Sequence, residues 1–264
     1  PVGDVRGAID SIFPEHLIER VLLVTPPDSE AAQFREDTAK RRRYPNYPPY
    51  GLAVIAQKLR QAGIEVQILN LNHDVLKACV DGEVFNFDDV WHDRLERALE
   101  SFSPDLVAVT CMFTMTHGSF KKVCEFAADY GYPIAVGGVH VTNDVERVLD
   151  DIPQVNIAFL NEAELAMVRL VEVVNEKRPI EDLAQVIVVD RKERHRIRRE
   201  AKQPLVVCTL QPQTAAAHIM QDARERQDAE DKGLPYIPAT SPVVPLRPSV
   251  PVLLPDGYGF KSLT

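Results

Sequence analysis

Three short stretches of the chain hold residue types that do chemistry at a protein surface. The first is Gly137-Gly138-Val139-His140-Val141-Thr142. Adjacent glycines let another group approach the backbone closely, and a tight turn uses them equally well. The second is Thr110-Cys111-Met112-Phe113-Thr114-Met115-Thr116-His117-Gly118. It sets hydroxyls among apolar and thioether groups, which suits a flat, mostly apolar ligand with a few polar edges. Bonding of Thr110 and Thr114 to local backbone is the competing role, strongest for Thr114, and His117 is expected to serve as a surface or capping residue. The third is Asn161-Glu162-Ala163-Glu164. Two carboxylates at a helix start favour the dipole and the first-turn amides, so capping competes with binding there. The four cysteines, Cys79, Cys111, Cys124 and Cys208, form neither CxxC nor CxxxCxxC, which argues against a zinc or iron–sulfur site within the chain.

These stretches all follow apolar runs, and the runs alternate with helical patterns. Strands are expected at residues 21–24, 65–71, 106–110, 133–136 and 155–160. Helices are expected at 50–62, 88–102, 118–130 and 162–175. Residues 73–81 read as helix or loop, and Asn143 as the cap of a short helix through Leu149. Strict alternation with nearly continuous apolar strands predicts an α/β fold: a doubly wound, flavodoxin-like, five-stranded parallel sheet. Ligands of such sheets bind outside the carboxyl ends of the strands. That rule selects the loops after residues 24, 110, 136 and 160, the first of which is unusually long and ends in Pro48-Pro49.

The organisation reads as an N-terminal extension over 1–19, a ligand-binding domain over 20–180, and a candidate hairpin over 181–203 made of Gln185–Asp190 and His195–Arg199. A Pro-rich C-terminal extension over 204–264, read as linker or disordered tail with a polar helix at 213–231, completes it. Nine prolines fall from Pro204 onward. The net charge of −9 makes nucleic acid a poor partner. The runs Lys40-Arg41-Arg42-Arg43 and Arg191–Arg199 read as solvated surface, the former also as a place to meet a cofactor phosphate or a partner domain. No apolar run reaches the roughly 18 residues that span a membrane, and the start PVGDVRGAID has neither a signal-peptide apolar region nor an initiator Met, so the chain reads as processed or clipped. Scattered thiols fit a reducing cytoplasm. His73 and His92 read as solvated.

In order and spacing, four landmarks resemble the cobalamin-binding N-terminal domain of cobalamin-dependent radical S-adenosylmethionine enzymes, over roughly residues 20–190. They are Val21 to Pro27; Pro48-Pro49-Tyr50-Gly51-Leu52; Ser103-Pro104-Asp105-Leu106-Val107 leading into Thr110-Cys111-Met112; and Gly137 to Thr142 followed by Asn161 to Glu164. The resemblance implies a Rossmann-like cobalamin-binding fold that holds base-off cobalamin, with the nucleotide tail threaded into the sheet through a slot left by Gly137 and Gly138. It implies cofactor-binding roles for Pro49, Tyr50, Gly51, Thr110, Met112, Thr114, Gly137, Gly138, His140, Thr142, Glu162 and Glu164. Thr110 falls where the family often has a serine that bonds the tail, and Tyr50 and Gly51 fall near the corrin face.

The chain departs from that family in three ways. Asn161 and Ala163 replace the glycines of Gly-Glu-Gly-Glu. The Asp-x-His-x-x-Gly ligand motif of methionine synthase and mutase relatives is absent, with no histidine between Thr25 and Pro49. The iron–sulfur barrel is missing, so a 4Fe–4S cluster and S-adenosylmethionine would belong only to a missing or partner domain. The resemblance therefore implies a cofactor module of methylase or cyclase type, not catalytic alone, as a truncated product, fragment or stand-alone module working with a barrel in trans. The alternatives are a non-enzymatic flavodoxin-like interaction domain and, further off, a nucleotide-binding enzyme. The first would favour acids at the first strand's end, where only Asp28 is near. The second requires G-x-G-x-x-G, which is missing.

Overall fold

The computed structural model describes residues 2–82, 84–183, 186–189 and 205–209. Five strands form the expected parallel sheet: β1 Arg20–Thr25, β2 Glu65–Asn70, β3 Leu106–Thr110, β4 Ile134–Gly137 and β5 Val155–Leu160. Their spatial order is β2-β1-β3-β4-β5, the doubly wound order in which the chain reverses direction between β1 and β3. Two more strands extend the β5 edge. β7 Leu205–Thr209 pairs parallel with β5, and β6 Val186–Val189 pairs antiparallel with β7. The partner of the first hairpin strand is thus 205–209, within the stretch read as Pro-rich linker, while His195–Arg199 and 211–264 lie outside the described residues.

Side chains alternate across the sheet, as a two-residue repeat requires. Val21 and Leu23 of β1, with Leu106 and Ala108 of β3, face α1 Val2–Ile12, α3 Tyr50–Gln61 and α9 Glu164–Val174. Leu22, Val24, Val107 and Val109 face the opposite layer. That layer comprises α4 Leu71–Asp81, α5 Phe87–Phe102, α6 His117–Asp129, α7 Val139–Asn143 and α8 Val145–Asp151. A short α2, Glu36–Lys40, lies inside the long loop after β1. Helix α1, which the sequence pattern does not mark, buries Ala8, Ile9 and Ile12, with Phe13 buried just beyond it, so much of the N-terminal extension belongs to the core. Asn143 closes α7 rather than capping a helix, and α8 starts after Asp144.

Polar side chains pin the element ends. Asp105 Oδ2 accepts the N–H groups of Glu19 and Arg20 at 2.7 and 2.8 Å, fixing the start of β1 against the turn into β3. The β4–β5 register slips between Ile134 and Ala135. Asn156 Oδ1 accepts the Ile134 N–H at 2.8 Å, so the irregularity leaves no orphaned donor. Asn86 caps α5 through the N–H groups of Asp88 and Asp89.

Candidate functional site

The carboxyl ends of β1, β3, β4 and β5 gather most of the sequence-predicted residues on one rim. Pro49, Tyr50 and Gly51 stand at the N-terminal end of α3, with Pro49 as its N-cap residue. Thr110 ends β3, and Met112 and Thr114 follow it. Gly137 ends β4, and Gly138, His140 and Thr142 follow. Glu162 lies exposed beyond β5 and Glu164 opens α9, where no side-chain hydrogen bond supplies the cap.

This rim is unusually apolar for an exposed surface. Among the described residues ten large apolar side chains stand exposed, and seven of them are here: Tyr47, Tyr50, Met112, Phe113, Met115, Val139 and Leu165. Clustered exposure of this kind marks a binding surface, whereas scattered single residues need no explanation. Thr25, at the tip of β1, adds a buried hydroxyl with no hydrogen-bond partner among the described residues. An orphaned buried polar atom is costly, and a ligand group is one thing that satisfies it. Sequence reading placed Phe113, Met115 and Val139 in the rim loops without giving each a role, and did not single out Thr25, Tyr47 or Leu165.

Of the paired glycines, Gly138 makes a close backbone contact. Gly138 has φ +106°, and a Cβ there would overlap the Cys111 carbonyl and stand 2.9 Å from Thr110 Oγ1. Gly137 would place a Cβ at an ordinary 3.6 Å from Phe159 Cβ. The Cβ direction at Gly138 is therefore taken by the tip of β3, and a backbone-to-backbone seam joins the two strand tips there. The Cys111 N–H donates to the Gly137 carbonyl at 2.8 Å, and the His140 N–H donates to the Cys111 carbonyl at 3.1 Å. Thr142 extends the seam to β5: its Oγ1 donates to the Gly138 carbonyl and accepts the Asn161 N–H at 2.9 Å.

Two histidines expected to act separately form a buried pair. His117 and His140 are 7% and 1% exposed, and His117 Nδ1 stands 2.9 Å from His140 Nε2. His140 Nδ1 is 3.2 Å from Thr114 Oγ1. His117 Nε2 is 3.2 Å from Asp151 Oδ2, close enough for attraction but out of line for a good hydrogen bond. Arg147 Nε lies 3.5 Å from the same oxygen. Burial, then the cations Arg147 and Lys121, holds the His117 ring below the ordinary imidazole range against the pull of Asp151. Burial first and His117 second do the same to His140. The surface role expected for His117 is corrected. Thr114 bonds across 26 residues of chain to His140, and the local backbone bond belongs to Thr116, which donates to the Phe113 carbonyl at 2.8 Å. The pairing follows from register: Thr110 sits opposite Gly137, so the helices starting just beyond them are neighbours. Cys111 lies beneath, its thiol pushed up by burial and hence no thiolate nucleophile.

The long loop after β1 is latched on both sides. Ser119 Oγ donates to the Pro27 carbonyl, the Asp28 N–H donates to Asn72 Oδ1 at 3.0 Å, and Asn72 Nδ2 donates to the Pro45 carbonyl at 3.3 Å. Phe34 stacks on Tyr44 at 5.2 Å and packs on Phe85 and Phe87. His73 meets Asn46 Nδ2 at 3.0 Å, and His92 stacks on Phe126 at 4.9 Å, so neither is simply solvated. Of the basic run, Lys40 pairs with Glu36 at 2.9 Å and Arg41 to Arg43 are exposed. Among the described residues, no cluster of three or more His, Cys, Asp or Glu could hold a metal ion, and no helix is long and apolar enough to cross a membrane.

A family model of the B12 binding domain matches residues 38–171, just over half of the chain. An uncharacterized methyltransferase of Pyrococcus horikoshii is 26% identical over 191 residues, covering 72% of this chain and 36% of that protein, so the chain spans about a third of its relative's length. A cobalamin-binding protein from Desulfitobacterium hafniense superposes with TM-score 0.36 at 14% identity, over 60% of this chain and 59% of that one. The methanol:cobalamin methyltransferase complex MtaBC of Methanosarcina barkeri gives 0.35 at 17%, over 60% and 50%. No residue role is carried over from either structure.

Proposed function

This chain belongs to the B12-binding domain family, and on that premise we propose that it holds base-off cobalamin across the rim formed by the tips of β1, β3, β4 and β5, as the cofactor module of a methyltransferase-type enzyme. The observation that carries the reading is the cluster of seven exposed apolar side chains around the hydroxyls of Thr25, Thr110 and Thr114. The residues fit the group. A corrin is broad and apolar with a polar amide fringe, and the rim offers an apolar floor with a few hydroxyls and one orphaned oxygen. Met112, Phe113 and Met115 would pack on the ring and exclude water. Tyr50 and Gly51 would border its edge, and Glu162 and Glu164 would face its amides from beyond β5.

When bound, cobalamin supplies methyl transfer or radical chemistry, and the protein supplies orientation and environment. His117 and His140 are committed to each other and to Thr114 and Asp151, and the loop from Thr25 to Pro49 has no histidine. These imidazoles are thus already engaged within the protein. The substrate-handling part would come from a radical S-adenosylmethionine barrel, carried on a longer version of the chain or on a partner. The chain spans about a third of a methyltransferase relative's length, which is compatible with such a part being carried separately there.

The test mixes the full chain with hydroxocobalamin, desalts it and records the visible spectrum. Retained corrin with a base-off spectrum is expected. Replacing Met112 and Met115 together by Asp should weaken retention by roughly tenfold or more, since each change trades apolar burial for a desolvated charge. A wild-type chain that retains no corrin would overturn the reading.

A further inference from the structure

We propose that Asp151, His117 and His140 fix the polarity of the Thr114 hydroxyl so that it offers only lone pairs to the rim, making Thr114 a reader of an N–H donor on the ligand. The proposal rests on the cobalamin reading for the identity of that ligand, whose amide fringe supplies the donor.

The direction of the hydrogen bonds follows from their fixed end. Asp151 is a carboxylate held beside Arg147, and its negative charge 3.2 Å away favours a proton on His117 Nε2 over a bare lone pair there, even though the two are out of line for a good hydrogen bond. His117 Nε2 is therefore N–H and its Nδ1 an acceptor. His140 must then donate from Nε2 across the 2.9 Å contact, which leaves His140 Nδ1 as an acceptor. The remaining hydrogen of the chain is the Thr114 O–H, which donates to that Nδ1 over 3.2 Å. What Thr114 Oγ1 has left is acceptor capacity, and the residue is exposed at the rim between Phe113 and Met115. Each group of the chain is used once, and the two rings are locked edge to face at 87°.

One added proton reverses the outer link. It goes to His140 Nδ1, which then donates to Thr114, and the Thr114 O–H swings out to offer a donor where an acceptor stood. The groups that bear on this step come from three elements. His117 and Lys121 belong to α6, Arg147 and Asp151 to α8, and Asp144 stands between α7 and α8. Burial keeps both rings neutral at neutral pH, so the reversal belongs to acid conditions.

The experiment compares retention of a corrin bearing its amide side chains with the heptamethyl ester corrin, which has the same macrocycle and no N–H donors. Wild type should prefer the amide form at neutral pH, and Thr114→Val should lose roughly five- to tenfold of that preference, the worth of one hydrogen bond. Thr114→Ser should keep it. Asp151→Asn, on a partly exposed side chain, should lose several-fold because an amide no longer dictates the ring proton. Lowering the pH below the imidazole range should erode the wild-type preference and leave that of Thr114→Val flat. A Thr114→Val protein that keeps the full preference, or that follows the wild-type pH course, overturns the proposal while corrin retention itself stands. A wild type that retains neither corrin overturns the cofactor reading instead.

Discussion

The tips of β4 and β5 both bend through left-handed backbone, at Gly138 with φ +106° and at Asn161 with φ +62°. One tip uses glycine and the other does not. At Gly138 the Cys111 carbonyl occupies the place of a side chain, and the backbone angle is one that L residues rarely adopt. At Asn161 the angle falls in the small left-handed region that Asn tolerates, and the residue is exposed. The lesson is that positive φ alone permits a substitute, whereas positive φ with a backbone in contact does not. It also explains how the chain departs from Gly-Glu-Gly-Glu at 161 without losing the turn.

Gly138→Ala should break the comparison most severely. Strain and overlap each cost about 1–3 kcal/mol, so a loss of about 3 kcal/mol or more is expected in chemical denaturation. Gly137→Ala is its internal control and should stay within about 1 kcal/mol of wild type, since its Cβ meets Phe159 at a normal distance. A Gly138→Ala protein as stable as Gly137→Ala would show that the seam relaxes freely. Thr142→Val removes the solvent-exposed link between the two tips and should cost about 0.5–1 kcal/mol.

Acid should act on the β3–β4 side of the rim more than on β5. Burial holds the folded values of His117 and His140 below the ordinary imidazole value of about 6.5. Between 6.5 and those folded values the unfolded chain binds more protons. Stability contributed by the neutral pair is thus full above that range and declines as pH falls through it. A His140→Asn variant should flatten this part of the curve, and an unchanged slope would assign the acid sensitivity elsewhere. The smallest effect is expected of Asn161→Gly, a gain of at most about 1 kcal/mol from relieving the left-handed residue. A clear loss there would mean that the Asn161 side chain has a binding or packing role of its own.

Much of the sheet could be read in advance because each strand is a short apolar run bounded by breakers. Ser103-Pro104-Asp105 marks the start of β3 so sharply that both its ends were placed correctly. The β6–β7 pairing was not legible in the same way, because Val186–Val189 could pair with any later apolar run, and Leu205–Thr209 sits among prolines. Helix α1 carries Gly7 mid-way, and its burial depends on β6, β7 and the turn Ile180–Leu183, which it packs against and which lie far along the chain.

By itself the sequence determined the alternation of strands and helices, and with it the loops that form the rim, since apolar period and turn residues act locally along the chain. Only the tertiary structure decided what those loops contain. Thr114 and His117 lie 23 residues or more before His140 and Asp151, and the two pairs meet because parallel register sets Thr110 against Gly137. The same register presses the Cys111 carbonyl onto Gly138, so that this glycine meets a backbone neighbour the sequence does not name. Proton positions, close backbone contacts and orphaned oxygens are properties of neighbours in space, and no linear pattern encodes which neighbours those will be.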